Sequence, residues 1–371
     1  MMSSPAPETS ALQKFACPAC GGEAVWNPGK QKLVCPFCGT ESPAKLIEGT
    51  GKVVEHDLVA ALRGIGDDAR GWKADKRQVK CQSCNAISVL DPTRQAQTCQ
   101  FCGAAQLVPY EDAKAAFRPE SVLPFVVSEP AARDRIRQWY GKLWLAPNAL
   151  KRRALTDTVK GVYLPYWTFD AQVHCPWDAE AGHYYYTTEN YRDNQGRTQT
   201  RQVQHTRWEP ASGVVDHFFD DEPIAGTQGV SHALLKQIEP FPTNELVPYD
   251  TSYLSGFVVE HYQVVLLDAA KASEDAMCDK LRDLCAAQVP GDTYRNLVIH
   301  PTFSARTFKH ILVPAWLLTY TYGAKVFHVL VNGSTGRIAG EYPKSFWKVF
   351  FLVVGIIIVV LIVLLAQGGN R

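Results

Sequence analysis

The sequence carries almost no net charge: 38 lysines and arginines stand against 37 aspartates and glutamates in 371 residues. That excludes the strong positive field with which a dedicated nucleic-acid coat gathers polyanions. The amino terminus lacks a basic stretch followed by an apolar run, so no secretory signal peptide, and no export, is expected. Nucleotide and hydrolase motifs are missing too. There is no G-x-x-x-x-G-K-[ST], no G-x-S-x-G and no H-E-x-x-H, and Glu48-Gly49-Thr50-Gly51-Lys52 is too short to cradle phosphate, which excludes nucleotide hydrolysis. The 10 histidines are scattered singly. His174 and Cys175 adjoin, but neighbours on a strand face opposite ways and do not share one site. After Cys102 only Cys175, Cys278 and Cys285 remain; the last two read as buried core thiols. Asp220-Asp221-Glu222 reads as a solvated acidic run. No catalytic constellation survives, so the chain is expected to be no enzyme and to have no small-molecule substrate.

The cysteines that are present lie early and in order. Cys17, Cys20, Cys35 and Cys38 form two C-x-x-C pairs, and Cys81, Cys84, Cys99 and Cys102 repeat the same spacing 64 positions later. Four thiolates in this pattern suit a tetrahedral zinc ion, each pair folding into a tight knuckle. The residue after each knuckle needs a positive φ, which accounts for Gly21, Gly39 and Gly103, and for Asn85 as the next most tolerant type. Asn27-Pro28-Gly29 and Asp91-Pro92-Thr93 supply a turn between the knuckles of each set. The expectation is two structural, non-catalytic Zn2+ ions, with all positions filled by thiolates and none left for water. Losing Cys35 or Cys99 should then unfold one ribbon locally and leave the rest intact.

The remaining chain divides by texture. Residues 1–14 read as a disordered terminus, 15–42 as the first zinc ribbon, 43–78 as a linker with a short helix over Val54–Arg63, and 79–110 as the second ribbon. Lys73, Lys76, Arg77 and Lys80 cluster before that ribbon and form the best candidate basic patch. Residues 1–110 nevertheless hold twelve basic and ten acidic side chains, a weak footprint for a nucleic-acid module. Residues 118–345 read as an α+β domain. One helix follows Ser128 and Pro130 and carries Ile136, Trp139, Tyr140 and Leu143 on one face. Another, from Asp268 to Gln288, turns Met277, Leu281, Leu284 and Cys285 inward. Each is followed by a strand and a hairpin, and the strands share a phrase, Leu164-Pro165-Tyr166-Trp167 and Val313-Pro314-Ala315-Trp316, which suggests a duplication. A proline lacks the N–H that a ladder needs, so both phrases are expected on edge strands with their tryptophans inward.

The one long apolar run closes the sequence. Val349 to Ala366 is 18 uncharged residues, with Phe350, Gly355 and Leu361 within it, flanked by Phe346, Trp347 and Lys348. At about 1.5 Å per residue this gives roughly 27 Å of helix. A single-pass transmembrane anchor over 346–368 is expected. Arg337, Lys344 and Lys348 precede the span and only Arg371 follows it, which places the domain on the cytoplasmic side of the inner membrane. Reduced cysteines agree with that side.

The C-P-x-C-G knuckles, the two proline-tryptophan phrases, Leu254-Ser255-Gly256-Phe257, and Val329-Leu330-Val331-Asn332-Gly333 before the anchor together resemble a bacterial family of TFIIB-type zinc-ribbon membrane proteins, over nearly the whole chain. Paired knuckles also occur in primosomal replication-restart helicases, but without nucleotide-binding motifs this chain is not a helicase. Cys81-Gln82-Ser83-Cys84-Asn85 departs from the family phrase, so the second ribbon is expected to be the less regular. The resulting expectation is an α+β protein with two rubredoxin-like zinc ribbons, a duplicated, mainly antiparallel domain and a C-terminal transmembrane helix. Its function is expected to be that of a non-enzymatic, tail-anchored adaptor binding a protein partner; the resemblance implies an SPFH-type scaffold of a phage-shock-like envelope-stress system. The alternative is a membrane-associated nucleic-acid-binding protein.

Overall fold

The computed structural model describes residues 15–42, 53, 55–63, 77–90, 98–99, 101–110, 117, 119–147, 159–192, 198–323 and 325–368. The expected disordered terminus and the Asp91-Pro92-Thr93 turn lie outside these residues. The first ribbon is a four-stranded antiparallel sheet of β1 (Phe15–Ala16), β2 (Glu23–Asn27), β3 (Lys32–Val34) and β4 (Glu41–Ser42). The linker holds β5 (His56–Asp57) and α1 (Leu58–Arg63). This helix starts later than the apolar spacing suggests, because the Asp57 carboxylate accepts the Ala60 N–H at 2.7 Å and ends the strand there. Strands β6 (Arg77–Cys81), β7 (Ile87–Leu90) and β8 (Leu107–Tyr110) build the second ribbon.

The domain then runs through β9 (Ser121–Val122), α2 (Glu129–Lys142), β10 (Val159–Arg192), β11 (Thr198–Ala225), α3 (His232–Ile238), β12 (Val247–Pro248), β13 (Val258–Glu260) and α4 (Leu266–Gln288). It ends with β14 (Thr293–Ile299), β15 (Thr302–Tyr322), β16 (Lys325–Asn332), β17 (Ile338–Gly340) and α5 (Phe346–Gly368). β10 and β15 lie antiparallel at the centre of a 13-stranded sheet. On α4, Met277, Leu281 and Cys285 are buried as expected, but Leu284 is turned outward.

Two units repeat one element order and a matched set of hydrogen bonds. Each is a short strand, a helix, a long strand and a return strand: β9, α2, β10, β11 in one, and β13, α4, β15, β16 in the other. The short strands are exchanged, since β9 pairs in parallel with β15 and β13 with β10. The shared phrases meet across the centre, Leu164 opposite Val313. The Trp316 indole N–H donates to the Val127 carbonyl at 2.8 Å, just ahead of α2. In the same way Trp167 donates to Val264 at 2.9 Å, just ahead of α4. Both tryptophans are buried, as expected.

The prolines, however, are not on edges. Pro165 sits on a strand paired on both sides, where the outer partner of β10 changes from β13 to β11. Its carbonyl accepts the Gly226 N–H at 2.8 Å. Pro314 marks the same change on β15, from β9 to β16, and accepts Gly333 N–H at 2.8 Å. A strand residue points its N and O to the same side. The missing donor therefore faces the gap between successive partners, where no ladder bond is lost.

Side chains of α5 are described through Leu361, and those from Phe346 to Leu361 are largely exposed and apolar. Its base is tied to the loop after α2: Lys348 Nζ donates to the Trp144 and Ala146 carbonyls at 3.0 and 2.8 Å. Among the described residues no helix is long and apolar enough to cross a membrane. The transmembrane span expected over 346–368 is therefore not shown by these residues. Val349, Phe350, Gly355 and Leu361 lie on α5, while the Ala366 side chain lies outside the described residues.

Candidate metal centres

In each cysteine quartet the four sulfurs lie within 4.8 Å of one another. The closest pairs are Cys17–Cys38 and Cys20–Cys35, both at 3.5 Å, then Cys81–Cys102 at 3.5 Å and Cys84–Cys99 at 3.6 Å. A tetrahedron of thiolates about 2.3 Å from a metal has edges of about 3.8 Å, so each set could hold one ion. All four knuckles share one backbone plan. The N–H of the residue after the pair returns to the first cysteine's carbonyl at 2.9–3.0 Å for Gly21, Gly39, Asn85 and Gly103. Their φ values are +71°, +74°, +60° and +76°. Asn85 therefore replaces glycine without disturbing the turn, and the second ribbon is as regular at its knuckles as the first.

The electrostatics favour thiolate at particular sulfurs. The Thr40 hydroxyl and N–H lower the Cys38 thiol to about 6. The hydrogen bond shared with Cys84 lowers Cys99 to about 5 against the opposing effect of burial. Metal ligation needs the deprotonated form.

The settings of the two centres differ. In the first ribbon Cys20 and Cys38 are exposed, and Phe37 of the second knuckle is 78% exposed. The rest of this ribbon packs on the domain: the Trp26 backbone N–H donates to the Ser255 carbonyl at 3.1 Å, Ser255 Oγ to the Ala24 carbonyl at 2.8 Å and Gln31 Nε2 to the Phe125 carbonyl at 2.9 Å, Trp26 packs on Tyr253 at 4.6 Å between centroids, and Ala24, Trp26 and Leu33 share a core cluster with Phe125, Ile136 and Tyr163. The second ribbon is part of the main sheet, because β7 pairs with β13, Val89 opposite Val259 and Ser88 opposite Glu260. Cys81, Cys99 and Phe101 share one core cluster with Leu234, Leu235 and Ile311. Half of this arrangement was beyond sequence reasoning, since the spacing of the two quartets is identical.

No family model matches the chain, and no solved structure matches it. The chain is similar to the uncharacterized protein YdjG of Bacillus subtilis (strain 168). The two are 24% identical over 241 residues, which cover 64% of this chain and 67% of that protein.

Other expected residues fall as follows. Lys73 and Lys76 lie outside the described residues, as does the Arg77 side chain, and Lys80 is half-buried in β6. His174 is exposed and pairs with Asp216 at 2.7 Å, whereas Cys175 is buried, 3.9 Å from Cys285. They do point apart. The acidic run is not solvated as a whole. Glu222 is buried and pairs with the exposed Lys280, and Asp221 takes the buried Lys309 ammonium at 2.6 Å. The carboxylates of Asp170, Asp220 and Asp221 lie close enough to share a cation, and Lys309 supplies that charge. Burial opposes the charge on Lys309, but Asp221, Asp170 and Glu55 more than offset it and raise its pKa.

Glu260 was not singled out from sequence; a glutamate following Val258-Val259 gives no sign of burial. It is 1% exposed, and burial raises it to about 8, with Thr227 and Gln263 only partly restoring the ionised form. Its folded pKa lies above the unfolded value, so the acid is neutral in the native state. Stability is full below about pH 4.5 and falls as pH rises to about 8, by roughly 3–5 kcal/mol from this group. Glu120, raised to about 8 by burial, adds the same sign. Urea unfolding of Glu260→Gln between pH 5 and pH 8.5 is expected to show a flatter stability profile than the parent. Parallel profiles would contradict this assignment.

Proposed function

We propose that the protein is a non-enzymatic adaptor, tethered by its C-terminal helix to the cytoplasmic face of the inner membrane, with two structural zinc ions, whose first ribbon is presented to a protein partner. The observation that carries this reading is the contrast between the ribbons. One knuckle pair is built into the core, and the other stands out with Phe37 uncovered. An exposed aromatic on a metal-stiffened turn loses little entropy when covered, which suits a protein contact. Zinc fits an all-thiolate tetrahedron, which leaves no position for water and so serves structure. The tether is supported by the 18 uncharged residues of Val349 to Ala366 and by the uncovered apolar side chains of α5, which water disfavours. The family resemblance makes an SPFH-type membrane scaffold the partner to look for.

The test is co-purification after cross-linking in cells, comparing the parent with Phe37→Ala at equal membrane level and equal zinc content. A discrete protein companion that is lost from the variant is the expected result. Nucleic acid that co-purifies with both forms, released steeply by salt, would replace the adaptor with the nucleic-acid reading.

A further inference from the structure

Three hydrogen bonds fix the loop after α2 to the base of α5. The Ser345 N–H, one residue ahead of the helix, donates to the Leu145 carbonyl at 2.8 Å, and Lys348 Nζ donates to the carbonyls on either side of it, Trp144 and Ala146. Ala146 is buried, so the loop and the first turn of α5 form one joint.

Trp144 does not share in that burial. Its carbonyl is held, yet the residue is 61% exposed, and its side chain is one wall of an open groove of about 680 Å³ along α5. Lys348, Leu352, Gly355, Ile356 and Val360 are among the groove's other lining residues and recur along one stripe of the helix. Gly355 deepens it, since nothing stands within 4 Å of the place a side chain would take. Water disfavours an exposed indole over an apolar groove, whereas the headgroup level of a bilayer suits it.

The rim is basic. Lys142 in the last turn of α2 and Lys344 just ahead of α5 are exposed, and Lys348 lies at the mouth of the groove. Residues 141–147 and 341–348 together hold these three lysines against one carboxylate, Glu341. An apolar groove under a lysine rim matches an amphiphile with an anionic head. A second copy of the chain would instead set lysine against lysine.

We propose that the loop after α2 is a second membrane contact of the domain and holds an anionic phospholipid. The headgroup lies against Lys142, Lys344 and Lys348, one acyl chain follows the groove, and Trp144 sits at headgroup level. A helix alone would let the domain swivel about its tether; the loop fixes which end of the domain meets the lipid. This rests on the reading of α5 as a membrane tether and adds the lipid class and the surface that receives it.

The test uses full-length protein reconstituted into vesicles of phosphatidylglycerol and phosphatidylcholine in equal parts, or of phosphatidylcholine alone, with some chains brominated near the headgroup. The difference in fluorescence quenching between the parent and Trp144→Phe reads Trp144, because every other tryptophan is common to both. Quenching of Trp144 is expected in the anionic vesicles. Its docked-to-free ratio should fall about tenfold in phosphatidylcholine, and as much in anionic vesicles when the same comparison is made on a Lys142→Glu, Lys344→Glu background. Quenching indifferent to both changes would overturn the anionic-lipid site, and quenching that disappears as protein is crowded into the vesicles would give the groove to a second copy. An unquenched Trp144 in protein that resists extraction by alkaline carbonate would overturn the proposal and leave the tether standing. Release of the protein by carbonate would overturn both.

Discussion

Cys99→Ser is expected to lower the main unfolding transition of the whole domain, whereas Cys35→Ser lowers it far less, although each breaks one of the two cysteine quartets that could hold a metal ion. Cys99 and Cys35 are both buried and hold equivalent places in their quartets. The difference lies in what surrounds them. Cys99 and Phe101 pack with Leu234, Leu235 and Ile311, and Thr319 Oγ1 donates to the Phe101 carbonyl. Release of that knuckle also frees β7, the outer partner of β13. A metal held by the quartet would supply folding free energy to a segment this small. Loss of the second site should cost the domain about 4 kcal/mol or more, near 10 °C in the midpoint. Release of the first ribbon uncovers the patch covered by Ala24, Trp26 and Leu33, with Tyr253 and the Ser255 contacts, but takes no strand from the main sheet. Metal analysis with calorimetry checks this, and equal midpoint shifts for the two variants would count against it. Of the two cysteines for which local unfolding is expected from sequence, the packing in the structure predicts it for Cys35→Ser and a domain-wide loss for Cys99→Ser.

Trp167→Ala should be the most damaging single replacement in the central sheet. The indole is fully buried, touches Phe117 at 5.6 Å and Tyr262 at 5.0 Å between centroids, and stacks on His310 at 4.8 Å. A truncation of that size in a core costs about 3–5 kcal/mol. The Val264 carbonyl also loses its donor, a further penalty of about 1–3 kcal/mol if it stays dry. Trp167→Phe keeps much of the packing and removes the N–H, so its cost should fall between the parent and alanine. Trp316→Phe should match it, because its bond to Val127 is the same bond in the other unit. Urea midpoints for these three variants and Trp316→Ala decide the matter. If alanine and phenylalanine cost the same at either position, the hydrogen bond and not the packing dominates.

What the sequence made legible was local. The knuckle turns follow from residue type, since only Gly21, Gly39, Gly103 and a tolerant Asn85 sit comfortably at positive φ. The helix over Glu129–Lys142 follows from Ser128, Pro130 and an apolar face. Long-range pairing was not legible. Ile87-Ser88-Val89-Leu90 has the look of any ribbon strand, and its partner Val258–Glu260 is a distant segment with no mark of the pairing. The prolines misled because the edge rule assumes one partner per side along the whole strand, and here the partner changes at the proline. Lys309 and Glu260 look like surface charges until the strands around them are in place.

The exchange of β9 and β13 has a topological consequence. Each unit lends its short strand to the other's long strand, so neither has a complete sheet when alone, and the two are clasped. A protease cut anywhere between Gly226 and Tyr253 would nick the backbone without releasing either piece. By the same logic a chain of half this length, carrying one short strand, one helix and one long hairpin, would find its missing strand only on a second copy of itself. The present molecule can be viewed as such a strand-swapped pair written into a single polypeptide.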